Sequence, residues 1–167
     1  MHELIEKRRS IRKYKPDIPV TKEQLNQLLG AAMLAPSARN TRPWEFIVVT
    51  KREMLDKIVE VHPHTKMLGT ATAAIIVVAL PDKKDTVDFS PQDCSAVTQN
   101  ILLEAVNLGL GSCWCGVYPN EERVSAFREL FGLAESKVPF CVIAVGTPDE
   151  NPSQRGSFEE ARVRYIE

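Results

Sequence analysis

Residues 28–49, LLGAAMLAPSARNTRPWEFIVV, hold the pattern that decides the fold. Their first part completes a helix predicted over 21–35, whose apolar residues recur at helical spacing on one face. Pro36 and Pro43 then bracket a polar stretch that must be a loop. EFIVVT at 45–50 is typical of a strand. The sequence therefore predicts a helix, a loop held at both ends, and a strand.

Outward from this stretch, helices and strands are mixed. Further helices are predicted at 2–8, 51–61, 90–108 and 121–131, and further strands at 73–80, 138–146 and 161–166. The run AAIIVVAL at 73–80 is apolar throughout, which is typical of a central strand buried on both faces. Ser90 is the predicted cap of a long helix that should be central and mostly buried. Because helices and strands do not alternate strictly, the predicted fold class is α+β.

Composition and charge limit the classes of protein to which the chain can belong. A chain of 167 residues is predicted to form one domain, 1–167. Its net charge of −1 argues against a dedicated nucleic-acid binder, because such domains are usually basic as a whole. The start shows no secretory signal, and the longest apolar run is too short to span a bilayer. We therefore expect a cytoplasmic protein with no membrane segment and four reduced cysteines.

A local basic cluster contrasts with this neutral balance. KRRSIRKYK at 7–15 contains six basic residues and no acid. Such a patch favours a phosphate, a nucleic acid or an acidic partner, and its composition alone does not choose among them. The loop PSARNTRPW at 36–44 adds Ser37, Asn40 and backbone amides, which suit a planar heteroaromatic ring. Arginines and a serine hydroxyl suit a phosphate, so the two segments together predict a site for a phosphorylated heterocycle.

Other signatures of catalysis or metal binding do not fit. GLGSCWCG at 109–116 has a tryptophan in the place of the third glycine of a dinucleotide fingerprint, and it follows a helix instead of a strand. His-x-His at 62–64 and Cys-x-Cys at 113–115 lack the usual spacing of zinc ligands, so no metal site is predicted. These positions are interpreted as solvated His62 and His64, buried thiols Cys113 and Cys115, and core Trp44 and Trp114.

Four stretches of the chain resemble one known family. RRSIRKY at 8–14 is followed by the stretch at 28–49, by QNILLEAVNLGLGSCW at 99–114 and by VGTP at 145–148. In order and spacing they closely resemble the nitroreductase family of FMN-dependent oxidoreductases. The resemblance implies a central, mostly antiparallel sheet flanked by helices, and a homodimer with two FMN sites at the subunit interface. It also implies that ARVRYI at 161–166 adds a strand to the partner's sheet.

The resemblance assigns phosphate and ribityl contacts to the N-terminal cluster. Arg8 and Ser10 match positions that hold the FMN phosphate, and Arg9 lies beside them. Arg12 matches a basic residue near the ribityl chain and the pyrimidine end of the flavin, where positive charge would stabilise the anionic reduced form. Arg155, in the C-terminal tail, matches a second phosphate-binding position.

The resemblance assigns contacts with the flavin ring to the loop between the two prolines. Pro36, Ser37 and Ala38 match residues that wrap the isoalloxazine from the partner subunit, and Asn40 matches a polar contact. Arg42 stands where many relatives carry glutamine directly before Pro-Trp, so the chain has an additional charge near the ring. The chain is also shorter than many members and lacks the helical insertion that covers the flavin, which implies a more open or differently shaped pocket.

The implied reaction is a two-electron transfer in two halves, by a ping-pong route. NADH or NADPH would give a hydride to FMN and leave, and a small acceptor such as a nitroaromatic or a quinone would then be reduced on the same face. The stretch at Cys115 and Gly116 matches the one whose backbone amide points at the reactive central-ring nitrogen of the flavin. No side chain is required as a nucleophile or dedicated acid, so no catalytic residue is predicted.

Three alternatives stay open at this stage. Within the family, the same site can serve flavin breakdown, reductive dehalogenation or azoline oxidation. A redox-silent FMN-binding or regulatory protein would keep the cofactor without turnover. A binder of nucleic acid or of an acidic protein would use residues 7–15 as its contact patch, and its binding would weaken steeply with salt.

Overall fold

The computed structural model describes residues 3–81, 87–153 and 156–167. Its helices are α1 (Glu3–Lys7), α2 (Lys22–Met33), α3 (Arg52–Val61), α4 (Ser90–Asn107) and α5 (Glu121–Phe131). Its strands are β1 (Trp44–Val49), β2 (Ala73–Ala79), β3 (Gly111–Gly116) and β4 (Val138–Gly146). Short 3-10 turns lie at Ala38–Asn40, Lys66–Gly69 and Glu160–Arg162. Residues 82–86 and Arg155 lie outside the described residues.

The four strands form one antiparallel sheet in the order β1–β2–β4–β3. The central strands are therefore β2 and β4, and the edges are β1 and β3. Trp44 lies opposite Ala79, and Gly111 lies opposite Gly146, which sets the register of the two outer pairs. The predicted α+β class with a mostly antiparallel central sheet is confirmed.

Helices cover both faces of the sheet. Alternate residues of β2 point to opposite faces, so Ile75 and Val77 join the core under α2 and α4, while Ile76 and Val78 join the core under α3 and α5. All seven residues of β2 are buried, as predicted for a central strand. The predicted central helix is confirmed as well, because buried residues recur along most of α4. Among the described helices, none has both the length and the apolar character needed to cross a bilayer.

Helix starts follow local chemistry, with one correction. Thr21 and Gln24 close the predicted capping box at the start of α2. The predicted cap of α4 is wrong by one residue, because Phe89 occupies the cap position and Ser90 is the first helical residue. The Asp88 carboxylate accepts the backbone N–H of Ser90 at 2.9 Å and so satisfies a donor at this helix start.

The N-terminal segment lies along the open edge of β3. Ser10 forms a bridge with Ser112, and the backbone N–H of Ile11 donates to the carbonyl of Ser112 at 2.9 Å. The buried hydroxyl of Tyr14 donates to the carbonyl of Ile11 at 2.6 Å. Burial raises the pKa of Tyr14, so this hydroxyl keeps its proton. These contacts fix the position from which the basic cluster at 7–15 extends.

Two glycines make this close packing possible. A Cβ built on Gly146 would lie 2.8 Å from Cδ1 of Tyr14, and one built on Gly111 would lie 2.8 Å from Cγ2 of Ile11. Carbon atoms do not approach so closely without repulsion, since their optimal separation is about 3.5–4.0 Å. A side chain at either glycine would therefore displace the N-terminal segment from the sheet.

We expect Gly146→Ala to lower the free energy of unfolding by roughly 1–3 kcal/mol, because the added methyl group overlaps a buried ring. Urea unfolding of the variant and the wild type measures this difference. Gly30→Ala is the matched control, since a Cβ there meets nothing within 4 Å and alanine is the better helix former. Equal stability of Gly146→Ala and the wild type would contradict the packing argument.

Two further expectations from the sequence are wrong, and a third is not met within the single chain. The sequence predicts no strand at 111–116, yet β3 lies there. The strand predicted at 161–166 does not form within the single chain, where Glu160–Arg162 form a 3-10 turn and 163–167 pair with no described strand, and its pairing with a partner's sheet stays a prediction. Trp114 is 37% exposed instead of core, because it lies on an edge strand, whereas Trp44 is buried at 9% as predicted.

Candidate functional site

The residues predicted to hold a phosphate line one small cavity of about 230 Å³, called here the N-terminal cavity. Its lining consists of Arg8, Arg9, Ser10, Arg12, Pro152 and Ser153. The structure thus brings together four of the predicted residues, and their side chains are cationic or carry a hydroxyl. Such donors make short, strong hydrogen bonds to phosphate oxygens.

The two neighbouring arginines of the N-terminal cavity are held differently. Arg9 donates from Nε to the carbonyl of Ser153 at 3.2 Å and from Nη1 to the carbonyl of Arg8. The guanidinium of Arg8 makes no hydrogen bond or ion pair with any residue that the structure describes. Arg9 therefore shapes the cavity wall, while Arg8 keeps its donors available for a ligand.

Arg12 connects the N-terminal cavity to a larger groove. Its exposed side chain lines both the cavity and a groove of about 440 Å³ beside β3, called here the β3 groove. The carboxylate of Glu150 accepts the backbone N–H of Arg12 and, at 3.2 Å, that of Lys13. These two hydrogen bonds fix the backbone from which Arg12 reaches the groove.

One wall of the β3 groove is the free edge of the strand itself. Four strand residues line it: Cys113, Trp114, Cys115 and Gly116. The carbonyl of Ser112 points outward to Ile11. Because backbone groups alternate in direction along an antiparallel strand, those of Trp114 and Gly116 point outward too. Of the two positions predicted to present a backbone amide, Cys115 and Gly116, it is therefore Gly116 whose N–H faces the groove.

The opposite wall is the loop that follows α3, with a residue of α5 at one end. Its lining residues are His62, Pro63, His64, Lys66, Met67 and Arg123. Lys66 and Arg123 add to the charge of Arg12, so the groove is electropositive and favours a ligand with negative charge. His62 is fully buried, so its interpretation as solvated is wrong, whereas His64 is exposed as expected.

Two thiols lie on the same face of β3 below the groove. Cys113 and Cys115 are both buried, as predicted. The neighbouring Cys115 thiol lowers the pKa of Cys113, and the charges of Arg12 and Arg8 act in the same direction, whereas burial and the charge of Glu150 oppose them. The positive charge of the arginines therefore extends to these thiols. Within the ranges described, no group of three or more His, Cys, Asp or Glu side chains is arranged to hold a metal ion.

The loop at 36–42 forms a separate surface. Three of its residues have a left-handed backbone, with φ between 49° and 56°: Arg39, Asn40 and Arg42. The Ser37 hydroxyl oxygen accepts the backbone N–H of Arg42 at 2.9 Å, and the backbone N–H of Ala38 donates to the carboxylate of Asp93 at 3.0 Å. A side chain of the loop itself, Ser37, and a side chain of α4, Asp93, therefore hold the loop backbone in place.

The two predicted halves of the site do not meet within one chain. Residues 8–12 and 113–116 lie at the β3 edge of the sheet, while 36–42 precede β1 at the opposite edge. Three strand spacings separate these edges, or roughly 14 Å. Ala38 and Arg42 line a different cavity, and Pro36, Asn40 and Arg42 are exposed. Within one chain, the two halves therefore line separate cavities.

The sequence did not reveal three charged residues that line or support the β3 groove. Lys66, Arg123 and Glu150 are isolated charged residues with no motif around them, and Glu150 lies 138 positions from the backbone that it holds. No spacing rule could have singled them out. The placement of Arg155 stays a prediction, because this residue lies outside the described ranges.

An electropositive groove at a sheet edge, joined to a cavity whose donors suit a phosphate, has the chemistry to hold an anionic ligand. A sequence profile described as the Nitroreductase family matches residues 5–65 and 61–147. The chain belongs to the nitroreductase family, and the family predicted from the sequence is confirmed.

Similar proteins span nearly the whole chain. A protein of Methanothermobacter thermautotrophicus, provisionally named NADH dehydrogenase/NAD(P)H nitroreductase, is 50% identical over 161 residues, which are 96% of this chain and 84% of that protein. The crystal structure of a provisionally named NADH oxidase from Clostridium acetobutylicum has a TM-score of 0.92 at 42% identity, covering 99% of both chains. An FMN-dependent nitroreductase from Clostridium difficile has a TM-score of 0.90 at 33% identity, covering 100% of this chain and 99% of the other. The predicted nitroreductase-like fold is confirmed.

Proposed function

We propose that residues 1–167 form one FMN-binding domain that transfers a hydride from NADH or NADPH, through FMN, to a small acceptor such as a nitroaromatic or a quinone. The observation that carries this proposal is the continuity of the two binding features. The N-terminal cavity and the β3 groove share Arg12. Donors that suit a phosphate thus lie at the end of the site formed by the N-terminal cavity. The cations and the strand edge of the β3 groove lie at the other end.

The donor set of this continuous site fits FMN. Arg8 and Ser10 would hold the phosphate, and Arg12 would lie beside the ribityl chain and the pyrimidine end. The backbone N–H of Gly116 would face the central ring. FMN and a nicotinamide donor are named for similar proteins, the C. difficile enzyme being FMN-dependent and the M. thermautotrophicus protein an NAD(P)H enzyme by its name. The predicted cofactors, FMN with NADH or NADPH, are confirmed at the level of the family.

When bound, FMN supplies the hydride chemistry, and the residues of this chain bind and orient. Arg12 and Lys66 both line the β3 groove and would favour negative charge on the ring. The outward N–H of Gly116 would donate to the ring from the strand edge. None of these roles needs a side-chain nucleophile, so the prediction of no catalytic residue stays part of the proposal.

The proposal includes a homodimer with FMN at the interface. Because one chain holds the two predicted halves at opposite edges of the sheet, the loop of Pro36, Ser37, Ala38, Asn40 and Arg42 would contact the ring bound by the partner. Its rigid left-handed backbone would present these groups in one geometry. The cytoplasmic location stays a prediction from the sequence.

The test is a visible spectrum recorded without oxygen. We expect the purified protein to contain FMN or to bind added FMN, and its flavin absorbance to bleach on addition of NADH or NADPH. A nitroaromatic or a quinone should then restore the absorbance. The donor preference follows from the ratio of the two bleaching rates in stopped-flow measurements.

Each negative outcome of this experiment points to a different alternative. FMN that binds tightly but is bleached by neither donor would indicate a redox-silent binder. Protein that neither contains nor binds FMN would contradict the proposal. Binding of nucleic acid that weakens steeply with salt would then favour the basic cluster as a contact patch.

A further inference from the structure

His62 is a buried histidine whose ring joins the two walls of the β3 groove. Its side chain is fully buried, and the ring packs edge-on against Phe127, with 6.0 Å between ring centroids. Nε2 lies 2.9 Å from the carbonyl oxygen of Gly116, at the end of β3. Nδ1 accepts the backbone N–H of His64 at 3.2 Å. One ring therefore connects the strand edge to the loop that faces it.

The two contacts fix the tautomer of the ring. A backbone N–H can only donate, so Nδ1 carries no proton, and a carbonyl can only accept, so Nε2 carries it. Burial lowers the pKa of His62 below its ordinary value of 6.5, and the charges of Arg123 and His64 act in the same direction. The ring is therefore neutral at pH 7, with a partner for each nitrogen.

The loop that His62 anchors also positions Lys66. The backbone N–H and the hydroxyl of Thr65 donate to the carbonyl of His62 at 3.1 and 2.7 Å. The backbone N–H of Leu68 in turn donates to the carbonyl of Thr65 at 2.8 Å. Lys66 thus lies between two residues that are held in place. A substitution of His62 would therefore affect the position of Lys66 on one wall of the β3 groove and the position of the end of β3 on the other wall.

We propose that His62 is a positioning residue for bound FMN, because its two ring hydrogen bonds hold the end of β3 and the loop that carries Lys66 at a fixed separation across the groove. The inference rests on the proposed function and goes beyond it, since the reaction itself requires no side chain at this position. The pairing of β3 with β4 already sets the direction of the Gly116 amide, so His62 acts on the separation of the two walls. The guanidinium of Arg123 donates to the carbonyl of Gly116 as well, at 3.3 Å, so His62 and Arg123 together hold the end of the strand.

Three variants separate positioning from packing. His62→Leu removes both ring hydrogen bonds at similar size, whereas His62→Gln keeps a donor near the end of the side chain. Phe127→Leu is the matched control, because it loosens packing against the same ring and leaves both hydrogen bonds in place. We expect His62→Leu to weaken FMN binding by roughly 3- to 10-fold, the effect of one lost neutral hydrogen bond. His62→Gln should regain most of this loss, and Phe127→Leu should lower the melting temperature with FMN affinity near that of the wild type.

A second readout needs no cofactor. In nitrogen–proton NMR spectra of the FMN-free protein, the Gly116 amide should shift in His62→Leu and return towards its wild-type position in His62→Gln. The imidazole nitrogens of the wild type should show the proton on Nε2. An unchanged Gly116 amide in His62→Leu, or a proton on Nδ1, would overturn the inference.

The outcomes also separate this inference from the proposed function. Wild-type protein that binds no FMN overturns both. Wild-type protein that binds FMN, beside His62→Leu that binds it equally well, overturns the inference alone. If Phe127→Leu weakens FMN binding as much as His62→Leu does, packing explains the loss and His62 has no positioning role.

Discussion

Replacing Arg8 by glutamine is expected to weaken FMN binding by roughly 10- to 100-fold. A charge-assisted hydrogen bond contributes about 1.5–3 kcal/mol, and every 1.4 kcal/mol is a factor of ten in affinity. Arg8 is the arginine of the N-terminal cavity whose donors no described residue occupies. Its substitution should therefore remove a ligand contact without removing an internal one, and stability should change little.

The measurement for Arg8→Gln is the quenching of FMN fluorescence on titration into FMN-free protein. Lys15→Gln is the matched control, because it removes the same charge from the basic cluster at 7–15 outside the lining of the N-terminal cavity. The control should bind within about twofold of the wild type, since a surface charge contributes little. Equal losses in both variants would mean that general attraction, and not a direct contact, holds the phosphate.

Arg9 illustrates how the structure refines the sequence-based prediction. The sequence places Arg8 and Arg9 side by side in one cluster and cannot rank them. In the structure, Arg9 donates to the carbonyls of Ser153 and Arg8, so its loss would also disturb the cavity wall. The distinction depends on a contact across 144 positions of the chain, which no local pattern encodes.

The parts of the fold that could be predicted have local causes. Pro36 and Pro43 delimit the loop before β1, and the capping box at Thr21 marks the start of α2. The central strands β2 and β4 are recognisable because burial on both faces requires a continuous apolar run. The N-terminal half of the site was visible for a similar reason, since its cations are consecutive in sequence.

The parts that could not be predicted depend on contacts distant in sequence. The sequence GSCWCG lacks the pattern that is typical of a strand. The glycine at 111 is required by the close approach of Ile11, and Trp114 is exposed because it lies at a sheet edge. The sequence around His62 indicates only a loop. Its role depends on a hydrogen bond to the carbonyl of Gly116, which lies 54 positions away. Glu150 is likewise visible only once the chain has folded onto Arg12.

Removing residues 158–167 is expected to leave a monomer that no longer binds FMN. Four apolar side chains of this segment are exposed in the single chain: Phe158 at 71%, Val163 at 42%, Tyr165 at 71% and Ile166 at 86%. Exposed apolar groups concentrated in one segment mark a surface that is covered in an assembly. Burial of one such side chain contributes about 1.5–3 kcal/mol, so truncation should weaken a dimer by at least roughly 100-fold.

The edge strand β1 is a suitable place for such a segment on a partner chain. It has no neighbour among the described strands on its outer side, so its backbone groups are available for pairing. An apolar cavity of about 550 Å³ lies beside it, lined by Leu29, Met33, Arg42, Trp44, Glu45 and Phe46. The alternating residues at 161–166, which pair with no described strand of their own chain, could then form the strand that the sequence predicts.

Sedimentation velocity, with detection of both protein and flavin absorbance, measures both effects in one experiment. Arg164→Gln is the control within the segment, because it changes a charge and leaves every apolar side chain in place. Loss of the dimer and loss of FMN should occur together, since one chain holds the two halves of the site at opposite edges of its sheet. A truncated chain that stays dimeric would show that the interface lies elsewhere. A truncated monomer that binds FMN at wild-type affinity would show that 8–12 and 113–116 suffice, and that the loop at 36–42 contributes nothing to binding.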